Sequence, residues 1–302
     1  MSDGILVSIA VLAYNSERTI IETLESIKNQ TYQNIELIVS DDCSQDKTVD
    51  ITRQWIAANK NRFIRAELLT VKINSGIPAN INRALNACQG IWFKCIAADD
   101  ILFPNCIEAC MKYVDLNKQA NWLVGKIKRY CNIIDEDHII NDDYMASSAI
   151  IKILEGDIEV QKQAILSRVF IGAPAVFAKV QILKDVGCFD EQYKFLEDWP
   201  MWKKLIFSGE KCFFMDEYIV GYRSNENSIS TGTGRLFNIN FEESVFLFLK
   251  NELFQYYSLS KRINKILHYR LCILFQKLSI NNTSFFNRKF YSLLYKMIDL
   301  IF

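Results

Sequence analysis

Residues 5–13, ILVSIAVLA, form an apolar, β-branched run that predicts a buried strand. Tyr14-Asn15-Ser16-Glu17 interrupts it, and Ile20, Leu24 and Ile27 then recur at helical spacing within residues 19–29. Residues 35–39, IELIV, predict a second strand, which runs into the polar cluster Asp41-Asp42-Cys43-Ser44-Gln45-Asp46. Val49, Ile51, Trp55 and Ile56 predict a helix over 48–58, and residues 66–71 a third strand. After the loop Asn74-Ser75-Gly76, Pro78 suits the first turn of a helix running to about residue 87, which Gly90 stops. Residues 91–97, IWFKCIA, predict a fourth strand ending at Asp99-Asp100, and a further helix starts near Pro104.

Strands alternating with helices at this spacing imply βαβ units, a parallel sheet and right-handed crossovers. Ligands of such sheets bind beyond the carboxyl ends of the strands. The clusters Tyr14–Glu17, Asp41–Asp46 and Asp99-Asp100 each follow a strand directly, so they are expected along one edge. Past residue 120 the alternation weakens. A strand is expected over 123–134 and a return strand over 138–140. A helix is expected over 151–169, a small-residue strand over 172–177, a short helix over 179–187 and a helix over 200–208. From about residue 236 the chain is rich in Phe, Leu, Ile and Tyr, with Lys and Arg outnumbering Asp and Glu.

The 302 residues are half apolar and 23% charged, with zero formal net charge. This is a globular composition, and its neutrality argues against a nucleic-acid partner. The nine cysteines are scattered, with no C-x-x-C pair, and only His138 and His268 accompany them, so a zinc site is not expected. Reduced thiols, mostly packed in the interior, fit a cytosolic compartment. Cys106 and Cys110 are expected on one helix face. No signal peptide is expected, and no run approaches the roughly 18 apolar residues of a membrane span.

Three acidic clusters carry the candidate chemistry. Asp99-Asp100 offers hard oxygens suited to Mg2+ or Mn2+, although an Asp between strand and helix also serves as a cap. Asp41-Asp42 can accept from a base N–H or a ribose hydroxyl, or make an Asx-type turn with Ser44. Glu197-Asp198 is flanked by Leu196 and Trp199; partial burial there would raise a carboxyl pKa and suit a general base, whereas a surface helix start is the structural alternative.

Taken in order and spacing, four segments are similar to glycosyltransferase family 2, the inverting enzymes of GT-A fold. They are VSIAVLAYNSERTIIETLESIKNQTYQNIELIVSDDCSQDKT, NSGIPANINRALNACQG, the ADDIL after the fourth strand, and VGCFDEQYKFLEDWPMW. The resemblance spans residues 5 to about 231. It implies an α/β GT-A domain over 1–235, a Rossmann-like nucleotide-binding, mostly parallel sheet flanked by helices. A C-terminal helical extension over 236–302 follows. Carried over by position, Ala13, Tyr14, Asn15 and Glu17 resemble the loop around the base and ribose, and Asp41, with Asp42 beside it, the acid that contacts the base. Asp99 and Asp100 match the metal and ribose-diphosphate carboxylates. Asp198 matches the general base, with Glu197 orienting it or touching the acceptor. Arg83 and Arg223 are candidate phosphate contacts or ion-pair partners.

The resemblance implies Mn2+ or Mg2+ as cofactor, a nucleotide-sugar donor, foremost a UDP-sugar, and an oligosaccharide or lipid-linked acceptor of bacterial surface-polysaccharide assembly. Two departures thin the metal corner. Ala97 stands where the family often has an acid, and Asn225 where it often has His, leaving Asn225 a weaker metal ligand. The family's processive Q-x-x-R-W element is absent, since Trp199-Pro200-Met201-Trp202-Lys203 follows Asp198, so single-sugar addition is expected. Residues 236–302 read as a helical cap, a homodimer interface or a basic membrane-surface segment, placing the protein in the cytoplasm or at the inner face of the plasma membrane. The competing readings are a non-catalytic nucleotide-sugar-binding subunit and a nucleotidyltransferase. The latter usually needs a glycine-rich loop that Tyr14–Arg18 lacks.

Overall fold

The first two apolar runs become the central parallel strands because each is buried on both faces. In the computed structural model, which describes residues 4–140, 147–224 and 234–301, β1 (Val7–Ala13), β2 (Ile35–Asp41), β3 (Arg65–Thr70) and β4 (Trp92–Ala97) run parallel in the order β3-β2-β1-β4. They alternate with α1 (Ile20–Lys28), α2 (Thr48–Asn59) and α3 (Ile77–Ala87). The register pairs Ala13 with Asp41 and Leu12 with Ala97, so the three polar clusters leave the sheet at one edge.

Beyond β4 the chain adds β5 (Ile101–Leu102), α4 (Cys106–Leu116), β6 (Trp122–Cys131) and β7 (Ile139–Ile140). Next come α5 (Ser148–Glu155), α6 (Ile158–Ile165), β8 (Val176–Lys179), α7 (Val180–Asp185), α8 (Asp198–Phe207) and β9 (Phe213–Ser224). The sheet continues as β8-β6-β9-β5, with β7 on β6. β8 is antiparallel to both its neighbours, and β6 and β9 are parallel. Trp92 stacks on Phe177 at 4.9 Å where the parallel half meets β8.

Three expectations change. The single helix over 151–169 is two, because Asp157 accepts from the amide of Val160 at 3.0 Å and starts a new helix after Gly156. The strand expected over 172–177 begins only at Val176; Pro174, which has no amide hydrogen for a ladder, lies in a 3-10 turn. β9 was not anticipated. Its stretch Asp216-Glu217-Tyr218 is exposed between buried flanks, and a register shift interrupts its pairing with β6, so no two-residue period survives. Gly125 permits that pairing: a β-carbon there would lie 2.6 Å from the Ile219 side chain. Cys106 and Cys110 are both buried on one face of α4, and all nine cysteines are free thiols.

The chain forms two compact units, Met1–Glu191 with Glu197–Ser224, and Gln192–Leu196 with Asn225–Phe302. The second contains α9 (Ile239–Phe248), α10 (Leu259–Lys277) and α11 (Phe285–Ile301) around Phe237, Leu271 and Phe275. The pentapeptide joins this unit through Tyr193, edge-on to Phe248 at 5.5 Å, and through the Phe195 amide, which donates to Ser244 Oγ at 3.2 Å. Among the described residues no helix is long and apolar enough to cross a membrane.

Candidate functional site

The first loop is held open by the second. Asn15 adopts φ 50°, a left-handed conformation that Asn tolerates better than most residues. Its amide donates to Ser44 Oγ at 2.8 Å, and its Oδ1 accepts from the Gln45 amide at 2.8 Å. Glu17 Oε2 accepts from the Lys47 amide at 3.1 Å, and the Glu17 amide donates to Asp46. Ala13 is buried, its carbonyl accepting from the Asp42 amide at 2.9 Å, whereas Tyr14 is half exposed. Tyr14 thus presents a ring to solvent from an anchored backbone.

Asp41 and Asp42 share a strand end and do different work. Both Asp41 oxygens accept from Ser44, at 2.8 Å from its amide and 2.5 Å from its hydroxyl. Asp42 accepts from the Ser75 and Gly76 amides, the Ser75 hydroxyl and Arg83 Nη2, the last at 3.1 Å. Burial alone would raise its pKa; these bonds outweigh it and hold the carboxyl below its ordinary value. Arg83 also reaches Ser40, Asn80 and Ser75, so its guanidinium fastens the β3–α3 loop onto Asp42.

At the end of β4, Asp100 is buried. Its Oδ1 accepts from the Arg223 amide at 2.8 Å, and its Oδ2 has no partner among the described residues. Burial and the neighbouring charge of Asp99 push its pKa well above the usual carboxylate range. Asp99 is more accessible. Arg223 donates to the Asp99 carbonyl at 2.8 Å, to the Asn132 carbonyl and to the Glu22 carboxylate, so it braces this corner from behind. Asn225 lies outside the described residues. Among the described residues no group of three or more His, Cys, Asp or Glu could hold a metal ion.

Glu197 and Asp198 begin α8, whose buried face includes Met201, Trp202 and Leu205. Trp202 stacks on Trp122 at 5.4 Å, and the Trp199 indole donates to the Ile165 carbonyl at 2.7 Å, fixing the start of the helix. The Trp199 amide donates to Asp198 Oδ1 at 2.6 Å. Burial pushes the Asp198 carboxyl up to about 6. Burial together with the charge of Asp198 pushes Glu197 up to about 8. The charge of Glu197 adds to burial in raising the Cys95 thiol on β4, the strand that Asp99 follows. The sequence reading gave Ser44 a turn role but no role to Asp46, Thr48 or Ser75, which also hold the loops; Thr48 Oγ1 accepts from the Ser16 amide at 2.7 Å.

The chain resembles the crystal structure of S. aureus TarS in complex with UDP-GlcNAc with a TM-score of 0.61 at 18% identity, covering 87% of this chain and 71% of that one. A sheet of this topology with acids along its carboxyl edge defines the GT-A class of glycosyltransferases. The chain belongs to glycosyl transferase family 2, whose sequence profile matches residues 8–169. It is 28% identical over 231 residues to an uncharacterized glycosyltransferase of Haemophilus influenzae, covering 75% of this chain and 68% of that protein. It is also 26% identical over 247 residues to the minor teichoic acid biosynthesis protein GgaB of Bacillus subtilis, covering 81% of this chain and 26% of that protein. The protein is accordingly an enzyme that transfers sugar from a nucleotide-sugar donor.

Proposed function

We propose that the protein transfers one sugar from a UDP-sugar, with inversion, to a hydroxyl of an oligosaccharide or lipid-linked acceptor in polysaccharide assembly, with Asp198 as general base. The observation that carries this reading is the geometry of two adjacent carboxyls at the start of α8. The Trp199 amide donates to Asp198 Oδ1. Burial raises both groups, Glu197 further by the charge of Asp198, so the pair holds one proton between them with Asp198 as its base. The Trp199 amide fixes Asp198 through Oδ1, which leaves its remaining lone pairs to take the acceptor proton. Protonated Glu197 can donate to an acceptor oxygen and orient it. Tyr14 and the Asn15 loop cover the base, and Asp41, whose oxygens keep lone pairs beyond their two Ser44 bonds, accepts from a base N–H. The UDP complex of TarS supports the choice of nucleotide, and the teichoic acid assignment of GgaB supports the acceptor class.

A divalent cation, Mn2+ or Mg2+, fits the Asp99-Asp100 corner on one observation. The buried Asp100 Oδ2 meets no donor among the described residues, and a cation's field would relieve it. Asp99 and Asp100 would hold the ion, with diphosphate oxygens completing its shell. Bound there, it neutralises the departing diphosphate. Calorimetric titration with UDP and GDP, with and without Mn2+, tests the donor side: UDP is expected to bind best with Mn2+, and absence of binding to any nucleoside diphosphate overturns the proposal. Asp198→Asn is expected to keep UDP binding and lose transfer; wild-type turnover in that variant would remove the base assignment, whereas UDP binding without any transfer by the wild-type protein would favour a non-catalytic binding subunit.

A further inference from the structure

Helix α11 carries two apolar faces. One, with Tyr291, Leu294, Tyr295 and Ile298, packs on the core of the second unit. The other, with Phe286, Phe290, Leu293, Met297 and Leu300, is exposed along the helix, 74% at Phe286 and 89% at Leu300, except that Phe290 also stacks on the buried Phe275 at 5.7 Å. At 100° per residue these five positions fall on one stripe, its centre about a third of a turn from the centre of the packed face. Lys289 and Lys296 fall along one margin of that stripe, with Arg288 further round; all three are exposed, and among the described residues none pairs with a carboxylate. Residues 259–301 hold eight Lys or Arg and one acid, Asp299, in a chain whose total charge is zero. Asp299 is engaged by Asn264 and His268 on the packed side.

We propose that α11 lies flat on an anionic phospholipid surface, its exposed stripe in the headgroup boundary and its lysines on lipid phosphates. The spacing of the stripe, alternating four and three, would also suit a helix–helix seam. The charges decide against a second copy of this chain. It would bring the same cations to the seam margin and no carboxylate to meet them. A phosphate surface supplies the missing charge, and about 25 Å of helix presents a long contact to it.

Sedimentation of the full-length protein with vesicles tests this. It should pellet with vesicles of phosphatidylcholine and phosphatidylglycerol, stay in solution with phosphatidylcholine alone, and release as salt rises. Neutralising two surface lysines, Lys289→Gln with Lys296→Gln, should weaken partitioning about thirtyfold. Leu293→Asp, an exposed position whose change leaves the core intact, should abolish it. Equal binding to both vesicle types, no binding to either, or a dimer in sedimentation velocity that Leu293→Asp dissociates would each overturn the proposal. Because no sugar nucleotide is present, these outcomes are independent of the donor site.

Discussion

The Arg223 amide donates to Asp100 Oδ1 at 2.8 Å, tying the end of β9 to the loop that follows β4. The Arg223 side chain then returns to the Asp99 carbonyl, so one residue grips both members of the acidic corner. Arg223→Ala keeps the amide bond and removes the grip, leaving the Asn132 and Asp99 carbonyls without their donor. A loss of about 2 kcal/mol in urea unfolding is expected. UDP affinity should fall as well, because Asp99 loses its fixed position; a variant with wild-type affinity would show that the corner is rigid without it.

Asp198 must be ionised to accept a proton, and burial places its pKa at about 6. The turnover number is therefore expected to fall tenfold per pH unit below that value and to level off above it. Asp198→Asn should lose at least about a hundredfold in rate at pH 7.5 and flatten this acid limb. A limb that persists in the variant would belong to another group.

Glu197 has a raised folded-state pKa, about 8, against about 4.3 in an unfolded chain. Between those values the unfolded state sheds its proton while the folded state keeps it, so ionisation pulls the equilibrium toward unfolding. Stability assignable to Glu197 is complete below about pH 4 and declines as pH rises toward 8. Glu197→Gln never ionises. It should melt higher than wild type at pH 8, by about 1 kcal/mol or more, and no higher at pH 4. Thermal melts at the two pH values decide.

Asp42 shows the opposite sign. Its pKa is held below the ordinary value by Ser75, Gly76 and Arg83, so its contribution is present above about pH 4 and is lost as pH falls through the lowered folded value. Asp42→Ala should cost about 3 kcal/mol, since Arg83 is then left mostly buried without its carboxylate. Arg83→Ala added to it should cost little more. A double-mutant cycle measures that coupling; simple additivity would show the pair to be incidental.

The parallel half of the fold was legible because every strand there is a short apolar run closed by polar residues, and each helix keeps its own period. The donor edge followed from topology alone. Asp157 and Pro174 divided elements that periodicity ran together, since an apolar face continues across a break in hydrogen bonding. β9 was illegible because Glu217 and Tyr218 interrupt its alternation and its pairing depends on the distant Gly125. At the site, the acids could be read as acids, but not which of them are consumed by structure. Asp42 and Asp100 look like Asp41 and Asp99 in the sequence; only the folded chain shows that the second of each pair is held by an arginine or its amide, while Asp41, equally buried, is held by Ser44.

The pentapeptide Gln192–Leu196 makes the chain pass between its two units three times rather than once. Tyr193, fully buried, completes the aromatic packing of Phe248, and four residues later the chain begins the acid pair. A fragment ending at Ser224 would keep all three acidic clusters and yet carry Tyr193 without Phe248, the ring it packs against, four residues before the acid pair, so shortening the chain to its family core would leave a buried aromatic without its partner.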